Sequence, residues 1–155
     1  MSAEQRLTAL GITLPPAPAS VAAYVPTVLV GDLLFTAGQI AVGPDGLIAT
    51  GTVGADVDLE TATACARQCA LNVLAQLREA LGTLDRVQRI VKITVFVASD
   101  PTFTEQHLVA NGASQLLTDV LGDAGRHART AVGVPALPLN SPVEIDAIAE
   151  VTDQA

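Results

Sequence analysis

ARTAVGVPALPLNSPVEIDAIAEV, residues 128–151, holds two runs in which apolar side chains alternate with others. Thr130, Val132 and Val134 make the first run, and Val143, Ile145, Ala147, Ala149 and Val151 make the second. Both predict β-strands, because successive side chains on a strand face opposite sides of a sheet. The proline-bounded link from Leu137 to Pro142 joins them. Arg129 opens the first strand on the face opposite the valines and shares that face with Ala131, Gly133 and Pro135, none of which offers it a charge. A guanidinium over small, uncharged neighbours is a socket for an anion.

Upstream, Phe103 to Leu121 predicts a helix closed by Gly122, and Gly112 within it points to a close approach by another backbone. Gln88 to Ala98 carries a nearly continuous apolar run from Ile90 to Val97, which predicts a central strand buried on both faces. Leu59 to Leu81 predicts a long helix with Asp58 as N-cap and Gly82 as stop. Ala62, Ala66, Cys69, Ala70, Val73 and Leu77 line its apolar side, with Arg67, Gln68, Gln76 and Glu79 opposite. Val25 to Val30 and Leu33 to Thr36 form a hairpin across Gly31-Asp32, with the return strand continuing to Gln39-Ile40. Gly43 to Gly46 marks a turn and residues 47–57 a loop. A short helix from Glu4 to Leu10 ends at Gly11, before Pro15-Pro16-Ala17-Pro18 forces an extended path. The order ββαβαββ is an α+β single domain, a mixed sheet backed by two helices, with right-handed crossovers between parallel strands.

A chain of 155 residues that is 50% hydrophobic is long enough for one core. With 3% aromatics and no Trp, that core is built from Ala, Val, Leu and Ile. The mean hydropathy of +0.45 is high, yet no apolar run approaches the ~18 residues of a membrane span, so the surplus fits subunit interfaces and no membrane partner is expected. The net charge of −8 and the lack of a basic run argue against a nucleic-acid partner. They also make a single inward arginine more informative. Residues 1–18 lack the apolar core of a secretory signal, so a cytoplasmic location is expected. Cys65 and Cys69, four apart on one helix, read as reduced thiols packed as small hydrophobes. His107 and His127 make no ligand pair with them, no glycine-rich phosphate loop is present, and neither a metal nor a cofactor is expected.

Three blocks resemble the Rid family (YjgF/YER057c/UK114, long labelled endoribonuclease L-PSP). They are Ala128-Arg129-Thr130 with Leu137-Pro138 and Val143-Glu144-Ile145-Asp146-Ala147-Ile148-Ala149; Leu34-Phe35-Thr36-Ala37-Gly38-Gln39-Ile40-Ala41; and Ile90 to Val97. The resemblance covers about residues 20–151. It divides the chain into an N-terminal extension or arm (1–20), a Rid-like domain (21–151) and a tail (152–155). It implies a chorismate-mutase-like fold, a homotrimer with sites at the subunit boundaries, and an enamine/imine deaminase that hydrolyses 2-imino acids such as 2-aminoacrylate to 2-keto acids and ammonia. A small carboxylate-bearing metabolite is then the ligand. The alternatives are a non-catalytic trimeric binder of such a carboxylate, or a deaminase of a 2-aminomuconate-like intermediate.

Carried over residue by residue, the resemblance makes Arg129 the group that binds the substrate carboxylate and Glu144 the one that positions or activates water. Tyr24, Gly38 and Ala37 become substrate-binding positions. Two departures bear on the substrate: Ala37 stands where the family usually has Ser, and Ala131 where many members have Cys. The second helix is longer than the family's, so the resemblance does not assign the family's pocket-facing helical asparagine to Asn111. From the residues alone, Arg129 reads first as half of a structural salt bridge, a preference the resemblance reverses; Glu144 reads as part of a solvated face with Asp146 and Glu150, and Tyr24 as an edge packing residue. His127, two residues before Arg129, shares its face and reads either as a surface residue or as pocket lining. In a simple hairpin centred near Leu139, Glu144 would stand ~20 Å along the strand from Arg129, so the two would converge only by curvature or across a subunit boundary.

Overall fold

A computed structural model describes residues 1–152; of the tail 152–155, residues 153–155 lie outside the described part. β1 (Thr27–Val30) and β2 (Leu33–Thr36) form the expected hairpin, with Gly31 at φ +61° in its turn. β3 (Gln39–Ile40) follows, then a small separate hairpin of β4 (Val42–Gly43) and β5 (Gly46–Leu47). Helix α2 (Leu59–Leu81) begins where the Asp58 carboxylate accepts from the Thr61 amide at 2.8 Å and ends at Gly82, φ +81°. It leads through a 3-10 turn (Leu84–Arg86) to β6 (Val87–Ala98). Helix α3 (Gln106–Leu121), β7 (Ala128–Val134) and β8 (Val143–Val151) complete the chain.

The main sheet runs β1-β2-β8-β6-β7, with β3 also paired to β8. β6 and β7 are parallel and joined by α3; β8 is antiparallel to β2, β3 and β6. β7 and β8 are therefore not a hairpin. The β6-α3-β7 crossover places β7 at the outer edge, and the chain returns through the Leu137–Pro142 link to insert β8 on the other side of β6. Helices α2 and α3 pack on one face of the sheet, where Cys69, Val73 and Leu77 of α2 meet Ile93 and Val95 of β6 and Ile145 and Ala147 of β8 in a core that is essentially inaccessible. Gly112 lets α3 press against the backbone of α2, because a Cβ there would collide with the Thr63 carbonyl.

Three further expectations are corrected. β6 is buried on one face only: Ile90, Ile93, Val95 and Val97 are covered by the helices, whereas Val91 and Lys92 are exposed. Its open face joins Val28, Val30, Phe35 and Val132 in an exposed apolar surface. Helix α3 begins at Gln106 rather than Phe103, because the Asp100 carboxylate accepts from both the amide and the hydroxyl of Thr102 and holds a turn there. Gln76, assigned to the polar side of α2, is buried, and its amide donates to the Pro18 carbonyl at 2.6 Å.

The N-terminal segment shares the same core. α1 (Ala3–Ala9) is closed by a capping box between Ser2 and Gln5 and seats Ala3 and Leu7 among the buried residues, with Leu14 beyond it. The Glu4 carboxylate accepts from the Leu84 amide at 2.9 Å and pairs with Arg78 at 3.6 Å, tying α1 to the end of α2. No helix among the described residues is long and apolar enough to cross a membrane.

Candidate functional site

The first half of the site is built by an irregularity. Phe35 pairs with Ile148 and Gln39 with Ile145, so three residues (36–38) stand opposite two (146–147). The extra residue breaks the strand between β2 and β3, and the Thr36 hydroxyl fills the gap by accepting from the Ala147 amide at 3.0 Å. Gly38 is thereby thrown over Glu144, leaving no room for a side chain: a Cβ on residue 38 would lie 2.9 Å from the Glu144 Cδ.

Around this contact lies a pocket of about 390 Å³. Tyr24, Gly38 and Glu144 all line it, so three of the residues singled out in the sequence meet there. Pro18 to Val21 form one wall, Asn72 and Gln76 of α2 another, and Pro138 and Leu139 the rim. Ala37 is not in the lining; its carbonyl accepts from the Gln39 side chain at 3.2 Å and its amide donates to the Pro26 carbonyl at 2.8 Å, so its part is to hold the bulge. Leu139 reaches the rim from a left-handed backbone, φ +56°, which bulky residues rarely adopt, and stays 74% exposed. Burial, and secondarily the Asp146 carboxylate, push Glu144 above the ordinary carboxyl range. Asp146 is also raised by burial, against opposing hydrogen bonds from Thr94 and the charge of Lys92.

Arg129 is elsewhere. It stands in register with Ile93, which in turn faces Ala147 of β8; both neighbours are buried under the helices, so Arg129 faces the helix side. Glu144 alternates with Val143 and Ile145 and faces the open side. Within one chain the two functional candidates lie on opposite faces of the sheet, a stronger separation than a hairpin would impose.

The hydrogen-bond partners of Arg129 are all neutral. Its Nη1 donates to Asn111 Oδ1 at 2.9 Å and to Ser114 Oγ at 3.2 Å, and its Nη2 donates to the His107 carbonyl at 3.0 Å. No carboxylate lies within ion-pair distance of it among the described residues, so the structural salt bridge is not there. A guanidinium has five N–H donors. Three hydrogen bonds leave Nη1 and Nη2, and Nε donates to no group among the described residues, so Nε–H and one further donor remain for an anion. Asn111, on α3, faces Arg129. Ser114 and His127, which line a second concavity with Thr118, Arg126 and Arg129, complete the setting.

Cys65 and Cys69 are buried and unpaired; burial pushes the Cys65 thiol up to about 11 and holds Cys69 well above its ordinary value, so neither is a nucleophile.

Residues 4–151 match the family described as "YjgF/chorismate mutase-like, putative endoribonuclease". Protein TCP17 of Trypanosoma cruzi is 49% identical over 148 residues, 95% of this chain and 92% of that one. The 2-iminobutanoate/2-iminopropanoate deaminase of Escherichia coli K12 is 38% identical over 133 residues, 86% of this chain and 91% of its own. The crystal structure of Atu1372 from Agrobacterium tumefaciens, a protein of unknown function, superposes with a TM-score of 0.90 at 50% identity, covering 97% of this chain and 92% of that one. On its fold and on these matches, the chain belongs to the YjgF/chorismate mutase-like family, the Rid family of the sequence blocks.

Proposed function

We propose that this protein is an enamine/imine deaminase that hydrolyses a small 2-imino acid to the 2-keto acid and ammonia, at a site that two copies of the chain complete together. The observation that carries this reading is the state of Arg129: a cation held by three neutral groups, with Nε free and no carboxylate partner among the described residues. A 2-imino acid offers a carboxylate beside its reacting carbon, so capture of the carboxylate places the C=N bond. The name of the E. coli relative supports the substrate class.

In the proposed reaction Arg129 binds the carboxylate, and water attacks C2 of the imine. The C=N bond becomes a C–N single bond as nitrogen takes up a proton, and ammonia then leaves while the new hydroxyl loses its proton to give the keto group. Glu144 orients the water and exchanges the proton; its raised pKa suits a carboxyl group that must both take and return one. The Gly38 backbone brings substrate against Glu144, and Tyr24 lines the approach. Because Arg129 and Glu144 face opposite sides of one sheet, the site needs Arg129 of one copy beside the Glu144 pocket of another. The exposed apolar sheet face is the surface available for that assembly, which we propose is a homotrimer.

The test is a dehydratase that releases 2-aminoacrylate, with pyruvate formation timed with and without this protein. Acceleration that is lost in Arg129→Ala supports the reading, and no acceleration at micromolar protein removes this substrate.

A further inference from the structure

Behind Arg129 stands a hydrogen-bond relay that the proposed reaction does not use directly. His127 Nδ1 lies 2.6 Å from the Gly125 carbonyl, and its Nε2 lies 2.9 Å from Ser114 Oγ. A carbonyl oxygen can only accept, so Nδ1 carries the ring proton, and in the neutral ring Nε2 is an acceptor. The Ser114 hydroxyl therefore donates to His127, which turns the lone pairs of its oxygen toward the Arg129 Nη1 that donates to it. Without His127 the hydroxyl would be free to fold back onto a carbonyl of its own helix, as serines in helices do.

We infer that Ser114 and His127 are positioning residues: by fixing the Ser114 rotor they add a second anchor to Arg129 Nη1 beside Asn111, and so hold the guanidinium still with its Nε donor free for a carboxylate. Without Ser114 the guanidinium keeps two anchors, Asn111 on Nη1 and the His107 carbonyl on Nη2, and loses the third. The relay takes its rigidity from the polypeptide, since the Gly125 carbonyl belongs to the 3-10 turn that closes α3 and Ser114 to α3 itself. This inference rests on the reading of Arg129 as the carboxylate site, and its test separates the two.

In full-length protein with ¹⁵N-labelled arginine, the rotation of the Arg129 guanidinium about its Nε–Cζ bond is measured by NMR, alongside the Kd for 2-ketobutyrate, in the wild type, His127→Ala, Ser114→Ala, the double variant and His127→Gln. The relay predicts slow rotation in the wild type and faster rotation in both alanine variants, with no further gain in the double variant because the two act as one unit. Kd weakens about five- to tenfold, the scale of one charge-assisted hydrogen bond. His127→Gln, whose Oε1 can accept the Ser114 proton, restores both readouts. Equal rotation in all five proteins overturns the relay. Rotation that responds as described in a protein that binds no 2-ketobutyrate keeps the relay and overturns the carboxylate reading instead.

Discussion

Gly38 and Glu144 are in contact so close that a methyl group on residue 38 would sit 2.9 Å from the Glu144 Cδ and 3.1 Å from its Oε1. The backbone at Gly38 is not in the left-handed region, so alanine is conformationally acceptable there, and the cost falls on the carboxylate alone. Gly38→Ala is expected to displace Glu144 and lower turnover about a hundredfold, as a misplacement of ~1 Å at a reacting group does. The melting temperature should fall by only a few degrees. Steady-state kinetics beside a thermal melt checks this; unchanged kcat would show that the position of Glu144 is immaterial.

The raised pKa of Glu144 predicts an acid limb in the rate profile. Burial is its main cause and Asp146 the second, so the midpoint lies above the usual carboxyl value of about 4.3. Asp146→Asn should move that limb to lower pH, and Glu144→Gln should abolish it together with turnover. The stability linkage has a definite sign. A carboxyl group whose folded pKa is raised holds its proton more tightly in the folded state, so the folded protein is favoured at low pH and loses that advantage as pH rises through the window between the unfolded and folded values. Denaturation at several pH values should show Glu144→Gln losing less stability than the wild type across that window.

Arg129→Lys keeps the charge but not the plane. A lysine has three donors at one point and cannot satisfy Asn111, Ser114 and the His107 carbonyl while presenting two more to a ligand. Titration calorimetry with 2-ketobutyrate should show binding weakened tenfold or more in Arg129→Lys and lost in Arg129→Ala. Folding should suffer by only about 1 kcal/mol, because the orphaned acceptors stay reachable by water.

Gly112→Ala separates fold from site. A Cβ there collides with the Thr63 carbonyl of α2, a backbone atom that cannot rotate away. The two helices must part, at a cost of about 3 kcal/mol read by urea denaturation. A variant as stable as the wild type would contradict the packing described.

Sequence reading captured the elements well because their ends are chemical: Asp58 caps α2 and Gly82 stops it, and Gly31 makes the first turn. Strand order was less legible. Nothing in ARTAVGVPALPLNSPVEIDAIAEV states that β6 lies between its two strands, since alternation fixes which side chains share a face but not which strand is adjacent. The same limit applies to β6, where Val91 and Phe96 read as core because an apolar face left open resembles one that is covered. Among the candidate residues, Glu144, Gly38 and Tyr24 were singled out through the family resemblance, and Arg129 through its uncharged strand face as well. Ser114 was missed, because a serine in a helix has no pattern of its own and its role depends on what packs against it. The signal that existed was His127, two residues from Arg129 and therefore on its face.

The central claim is that Arg129 of one copy and Glu144 of another make one site. Arg129→Ala and Glu144→Ala, each inactive as a pure protein, are mixed in denaturant, refolded together and assayed for pyruvate formation from 2-aminoacrylate. In a cyclic assembly with random mixing, about a quarter of the boundaries unite an intact Arg129 with an intact Glu144, so the mixture should recover roughly a quarter of the wild-type rate. A mixture no more active than its two components would contradict a site shared between copies.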